Sequence, residues 1–133
     1  MLQPVLKDNE RTRLCSLIEE AQTVVLCCHQ NPDGDAIGSM LAWAEVLRAL
    51  GREPLIVAPD QFPDNLHWMP NSEKIVRYDK RKDYVEMALK VADLVCYLDF
   101  NSPDRTGADC ARALSSSPAS VLIIDHHPPV APW

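Results

Sequence analysis

Seven residues of this chain have the types and spacing to bind cations: His29, Asp33 and Asp35 in HQNPDGDAIGS, Asp99 in LDFNSPDRTG, and Asp125, His126 and His127 in IIDHH. Each group stands directly behind an apolar run. Imidazole and carboxylate together form a donor set that suits first-row divalent ions such as Mn²⁺, with Mg²⁺ and Zn²⁺ less favoured by donor type. Two ions about 3.5 to 4 Å apart need a shared carboxylate and ligands on either side, which this inventory nearly supplies. Such a pair clamps a phosphoryl group, acidifies water and stabilises the leaving oxygen. Phosphate-ester hydrolysis is the chemistry indicated.

Simpler readings apply to each piece taken alone. Asn-Pro-Asp-Gly is a favoured β-turn sequence, with Pro at its second position and Gly tolerating positive φ. Asp35 would serve as a helix cap or dipole partner, the paired histidines as a polar strand terminus, and Asp99 as a strand-end aspartate. What none of these explains is the repetition of acidic and imidazole groups at three strand ends. Arg105 is either a solvated charge at a helix start or a phosphate contact, and the place of its loop favours the contact. His67, in NLHWMP, reads as structural or surface. The DGD triplet also fits a phosphatase with an aspartyl nucleophile, but that chemistry wants lysine or Ser/Thr at later strand ends, where this chain has histidines.

The positioning elements follow from hydrophobic periodicity. Leu14, Leu17, Ile18 and Ala21 have helical spacing and place an amphipathic helix over about residues 9 to 22. TVVLCC is a buried strand ending at His29, and Met40, Trp43, Ala44 and Leu47 mark the next helix, with Gly51 placed to end it. PLIVAP and KIVRY read as two further strands, separated by an irregular stretch with one helical turn near 66–69. Val85, Ala88, Leu89 and Ala92 mark a third long helix, ADLVCYLDF a strand ending at Asp99, 105–115 a weaker helix, and ASVLIIDHH a last strand ending at Asp125. Strands that are apolar throughout and alternate with helices predict an α/β fold: a doubly wound, mainly parallel sheet of about five strands with helices on both faces. In such sheets ligands bind outside the carboxyl ends of the strands, where all seven polar residues fall.

With 133 residues the chain suits one domain. A formal charge of −6 argues against a surface for long nucleic acid. No apolar run approaches the roughly 18 residues of a spanning helix, and the N-terminus lacks a signal-peptide pattern, so no membrane role and a cytoplasmic location are expected. The five cysteines lack CxxC spacing and read as buried thiols of a reducing compartment. A last strand lying near the C-terminus leaves a face open to homo-oligomer formation.

HQNPDGDAIGS, LDFNSPDRTG and IIDHH, in this order and spacing, resemble motifs I to III of the DHH phosphoesterase superfamily. The stretch from PLIVAP to EKIVRY is most similar to its branch of nano-RNases that also dephosphorylate adenosine 3′,5′-bisphosphate, often labelled exopolyphosphatase-related. The resemblance implies that His29 and Asp33 ligate one metal, that Asp35 and His126 ligate the other, and that Asp99 bridges them, with Mn²⁺ as the usual ion and Mg²⁺ as the alternative. It further implies that Asp125 orients His126, that His127 points toward the scissile phosphate, and that a hydroxide activated by two metals attacks phosphorus. The expected substrates are short oligoribonucleotides or adenosine 3′,5′-bisphosphate; cyclic dinucleotide or polyphosphate is the alternative. Family members continue past the third motif to a fourth metal-binding aspartate and a substrate-gripping domain, neither of which precedes the terminal HHPPVAPW. Residues 1–133 are therefore expected to be the N-terminal part of a DHH catalytic domain, inactive or weakly active alone, with a truncated metal- or nucleotide-binding fragment as the non-catalytic alternative.

Overall fold

The structure is a computed structural model and describes residues 5–128. Its elements alternate as expected: α1 (Asp8–Glu20), β1 (Val24–Cys27), α2 (Gly34–Ala49), β2 (Leu55–Ala58), β3 (Val76–Arg77), α3 (Lys82–Val91), β4 (Leu94–Leu98), α4 (Ala108–Ser116) and β5 (Ser120–Ile124). All strands pair in parallel, in the order β3-β2-β1-β4-β5. After β1 the chain builds outward through β2 and β3, then returns to the other side of β1 to add β4 and β5. The direction of winding thus reverses between β1 and β4, and a crevice opens at their carboxyl ends.

Alternation of side chains along each strand divides the apolar residues between two faces. Val24, Leu26, Ile56, Leu94, Cys96 and Leu98 pack with α1 and α2, burying Ile18, Met40, Ala44 and Leu47. On the other face Val25, Cys27, Val57, Val95 and Tyr97 pack with α3 and α4 through Val85, Leu89, Cys110 and Leu114. Both faces are dry, which is why β1 and β4 are apolar at every position. The edge differs. On β5, Val121, Ile123 and Ile124 remain 40%, 40% and 39% exposed, so the expected open face is present there. No helix of the described residues is long and apolar enough to cross a membrane.

Several expectations are corrected. The NPDG segment is not a Pro-Gly β-turn: Gly34 is the first residue of α2, and it is Asn31, at φ 53°, that takes the left-handed conformation. The helix expected over 105–115 is two pieces, a 3₁₀ turn at Pro103–Thr106 and α4, separated by Gly107 at φ 90° and ψ 158°, a region open almost only to glycine. The turn expected near 66–69 is flanked by 3₁₀ turns at Asp64–Leu66 and Ser72–Lys74. Four cysteines are buried thiols but Cys15 is exposed, because it lies off the Leu14 and Ile18 stripe that α1 turns inward. Gly51 does end α2: at φ 83° it lets Arg52 N–H reach Leu47 O at 2.8 Å and its own N–H reach Arg48 O at 3.0 Å, the paired bonds of a Schellman cap.

Candidate metal centre

Three strand ends meet because β1, β4 and β5 are neighbours in the sheet. His29 follows β1, Asp99 follows β4 and Asp125-His126-His127 follow β5. At the centre is Asp99, whose side chain is only 3% exposed. It holds φ 66°, a left-handed conformation that Asp tolerates better than most residues at a cost of about 1–2 kcal/mol. Its N–H donates to Ile124 O at 2.9 Å, which ties this turn to the end of β5.

Each oxygen of Asp99 faces a different histidine. Oδ2 is 3.3 Å from His29 Nε2 and Oδ1 is 2.9 Å from His126 Nε2. The His29 ring is set by its other nitrogen: Nδ1 lies 2.8 Å from Gln30 O. A carbonyl only accepts, so Nδ1 donates to it and Nε2 is the nitrogen turned toward the cluster. Asp33 Oδ1 is 3.7 Å from that Nε2. The same oxygen accepts from Ala36 N–H at 2.9 Å and caps α2, so the helix start and the imidazole share one carboxylate. Asp35, in the first turn of α2, places Oδ2 4.0 Å from His126 Nε2.

Asp125 departs from expectation. Its carboxylate reaches the ring of His127, not that of His126, with Oδ1 2.6 Å from Nδ1. Burial pushes the Asp125 carboxyl up, but the His127 ring and the backbone N–H groups of His127 and His126 hold it below the usual carboxylate range.

The donor atoms form two sets with one member in common. Single ligand atoms of His29, Asp33 and Asp99 lie within 4.8 Å of one another, as do those of Asp99, Asp125, His126 and His127. Among the described residues no lysine or arginine pairs with Asp33, Asp35, Asp99 or Asp125. A buried carboxylate faced only by imidazoles is poorly compensated without added positive charge. The site therefore fits divalent cations by donor type, by closeness and by charge.

The structure places the remaining residues less centrally. The Arg105 side chain is exposed, while its carbonyl accepts from Gln30 N–H at 2.8 Å and latches the 3₁₀ turn onto the loop after His29. His67 stacks on Phe62 at 4.4 Å between centroids, outside the cluster. Asn101 is a member that the sequence reading missed: its amide nitrogen donates to Asp125 Oδ2 at 2.9 Å. The signal was its position two residues after Asp99, on the same strand-end loop. A separate groove of about 410 Å³ between α3 and α4, where Lys82 and Arg112 pair with Asp109, shares no residue with the cluster.

A doubly wound parallel sheet with three acidic and imidazole motifs at its switch point defines the class, and residues 23–132 match the model for the DHH family, N-terminal domain: the chain belongs to this family. It is 34% identical over 121 residues to the bifunctional oligoribonuclease and PAP phosphatase NrnA of Thermus thermophilus, covering 89% of this chain and 32% of that protein. It superposes on the crystal structure of an exopolyphosphatase-related protein from Bacteroides fragilis with a TM-score of 0.90 at 33% identity, over 95% of this chain and 37% of that one. The chain spans about a third of the length of each relative.

Proposed function

We propose that this chain carries the metal centre of a phosphoesterase that hydrolyses phosphate esters of short oligoribonucleotides, adenosine 3′,5′-bisphosphate, or both. The observation that carries the reading is the buried Asp99 carboxylate, with one oxygen toward His29 and the other toward His126. His29 and Asp33 would hold one ion, Asp35 and His126 the second, and Asp99 both. Mn²⁺ is favoured over Mg²⁺ because two of the five donors are imidazoles. Bound there, two ions supply phosphoryl charge neutralisation and a water acidified to neutral pH. The substrate classes rest on the likeness to a relative named as oligoribonuclease and PAP phosphatase.

The protein's own contribution is orientation. The Gln30 carbonyl fixes the His29 tautomer, and Asp125 fixes that of His127, leaving Nε2 of that ring for a phosphoryl oxygen or the proton of a leaving group. Arg105, on the turn latched to the first loop, would serve as a phosphate contact. Residues 1–133 act as the N-terminal part of a catalytic domain in a cytoplasmic protein, with a further ligand and most of the substrate grip supplied from elsewhere in a longer chain.

Titration calorimetry with MnCl₂ tests the metal assignment and an assay of the full-length protein tests the substrate. Asp99→Asn keeps the shape of the side chain and removes its charge. It should abolish measurable Mn²⁺ binding and lower hydrolysis of RNA oligomers a few nucleotides long and of adenosine 3′,5′-bisphosphate by at least about 100-fold. Unchanged rates on both substrates would sink the two-metal reading, and hydrolysis of polyphosphate alone would replace the substrate class.

A further inference from the structure

The polar side chains that hold one another behind β4 and β5 extend beyond those already given roles. Asp125 uses both of its oxygens. Oδ1 accepts from His127 Nδ1 at 2.6 Å, and Oδ2 accepts from the Asn101 side-chain amide at 2.9 Å. The same Asn101 nitrogen also donates to Pro128 O at 3.1 Å. Both of these partners are acceptors toward Asn101, so only the NH₂ end of its amide can serve them. An Asn reversed about χ2 would set its oxygen against a carboxylate and a carbonyl.

We infer that Asn101 is a positioning residue: by anchoring Oδ2 of Asp125 it turns Oδ1 toward His127 Nδ1, fixing that ring in its Nδ1–H tautomer with Nε2 directed away from the carboxylate. The backbone N–H groups of His126 and His127 hold the carboxylate from its own segment, whereas the Asn101 amide holds Oδ2 from the loop after β4, so that Oδ1 is the oxygen presented to the imidazole. The link to Pro128 joins the loop after β4 to the loop after β5, so the ring is held relative to Asp99 and not only relative to its own strand. Asn101 touches no reacting atom in this scheme; it acts through Asp125. The inference builds on the role proposed above for His127, but its first test is independent of catalysis.

Long-range ¹H–¹⁵N correlation spectra of the metal-free chain, labelled at histidine and recorded at mildly alkaline pH, report the tautomer of each ring. The wild-type His127 should be in the Nδ1–H form, as should His29, which Gln30 holds independently. In folded Asn101→Ala the His127 signals should shift toward a tautomer mixture while those of His29 stay in place. In the Mn²⁺-loaded full-length protein the same change should lower kcat by about 10- to 100-fold with KM within about twofold. Asn101→Ala combined with Asp125→Ala should lose little more than Asp125→Ala alone. Two results would overturn the inference: a wild-type His127 already mixed, which requires no variant to fold, or a His127 unchanged by Asn101→Ala. If the wild-type protein hydrolyses neither substrate, the phosphoesterase reading fails and the spectra still decide the role of Asn101.

Discussion

Asp33 serves two demands with one oxygen. Its Oδ1 caps α2 at Ala36 N–H and faces His29 Nε2 at 3.7 Å. A capping side chain needs only an acceptor, whereas a metal ligand needs the negative charge. The two substitutions therefore separate. Asp33→Asn keeps an acceptor and should leave the melting temperature nearly unchanged while weakening Mn²⁺ binding in calorimetry by about tenfold or more. Asp33→Ala loses both and should also destabilise the fold by about 0.5–2 kcal/mol in urea titrations. Equal effects of the two on metal affinity and on stability would contradict the division. The residue scale is also where sequence reading was most complete. His29, Asp33, Asp35, Asp99, His126 and His127 stand out in the sequence by type and placement behind apolar runs, and the structure brings these six side chains together. The partner of Asp125 is not legible in the sequence because it depends on how the segment after β5 turns its side chains.

Two connections between elements carry the geometry of the site, and both are open to measurement. Gly107 starts α4 in a backbone region that residues with a Cβ avoid, and a Cβ there would also meet Gln30 Oε1 at 3.1 Å. Gly107→Ala should cost about 1–3 kcal/mol in equilibrium unfolding; a neutral result would mean that the break between the 3₁₀ turn and α4 is not required. At the other end of the strands, Asp93 Oδ2 accepts from Gln22 N–H at 2.9 Å and Thr23 N–H at 3.1 Å, tying the start of β1 to the start of β4. These donors hold the Asp93 carboxyl below the usual carboxylate range. The folded state then binds the proton less tightly than the unfolded state, so this stabilisation is complete above the unfolded pKa and is lost as pH falls through the folded pKa. Asp93→Asn should melt below wild type at neutral pH, and the gap should close in acid. A gap that persists at low pH would assign the loss to packing instead of charge. The helix split at Gly107 was not legible in the sequence, since apolar spacing carries across 105–115 and a single glycine does not announce its φ.

For the whole molecule, the proposed ligands come from three segments separated by about 60 residues and by about 25 in sequence. An unfolded chain cannot hold them together, so an ion that binds this centre binds the native state preferentially. Mn²⁺ at a hundredfold excess over its Kd should stabilise the chain by about 2.7 kcal/mol and raise its melting temperature, with EDTA reversing the shift. The Asp99→Asn variant should show no such response. An equal metal-induced shift in that variant would place the ion elsewhere. The same scale shows an asymmetry between the sheet edges: β3 has two residues, whereas β5 presents Val121, Ile123 and Ile124 along a strand that no neighbour follows among the described residues.

Local chemistry settled much of this in advance. Apolar runs bounded by Gly, Pro and Asp specify strands, helical spacing specifies the three longer α-helices, and the residue types behind three of the strands point to a candidate cation site, because each depends on neighbours in sequence. Strand order does not. Periodicity says that a strand is buried on both faces but not beside which partner. Only the tertiary structure puts β4 next to β1 and β5 next to β4. That adjacency brings Asp99 between His29 and His126, and it turns the HQNPDGD, DFN and DHH segments, each explicable alone as a polar strand end, into one site.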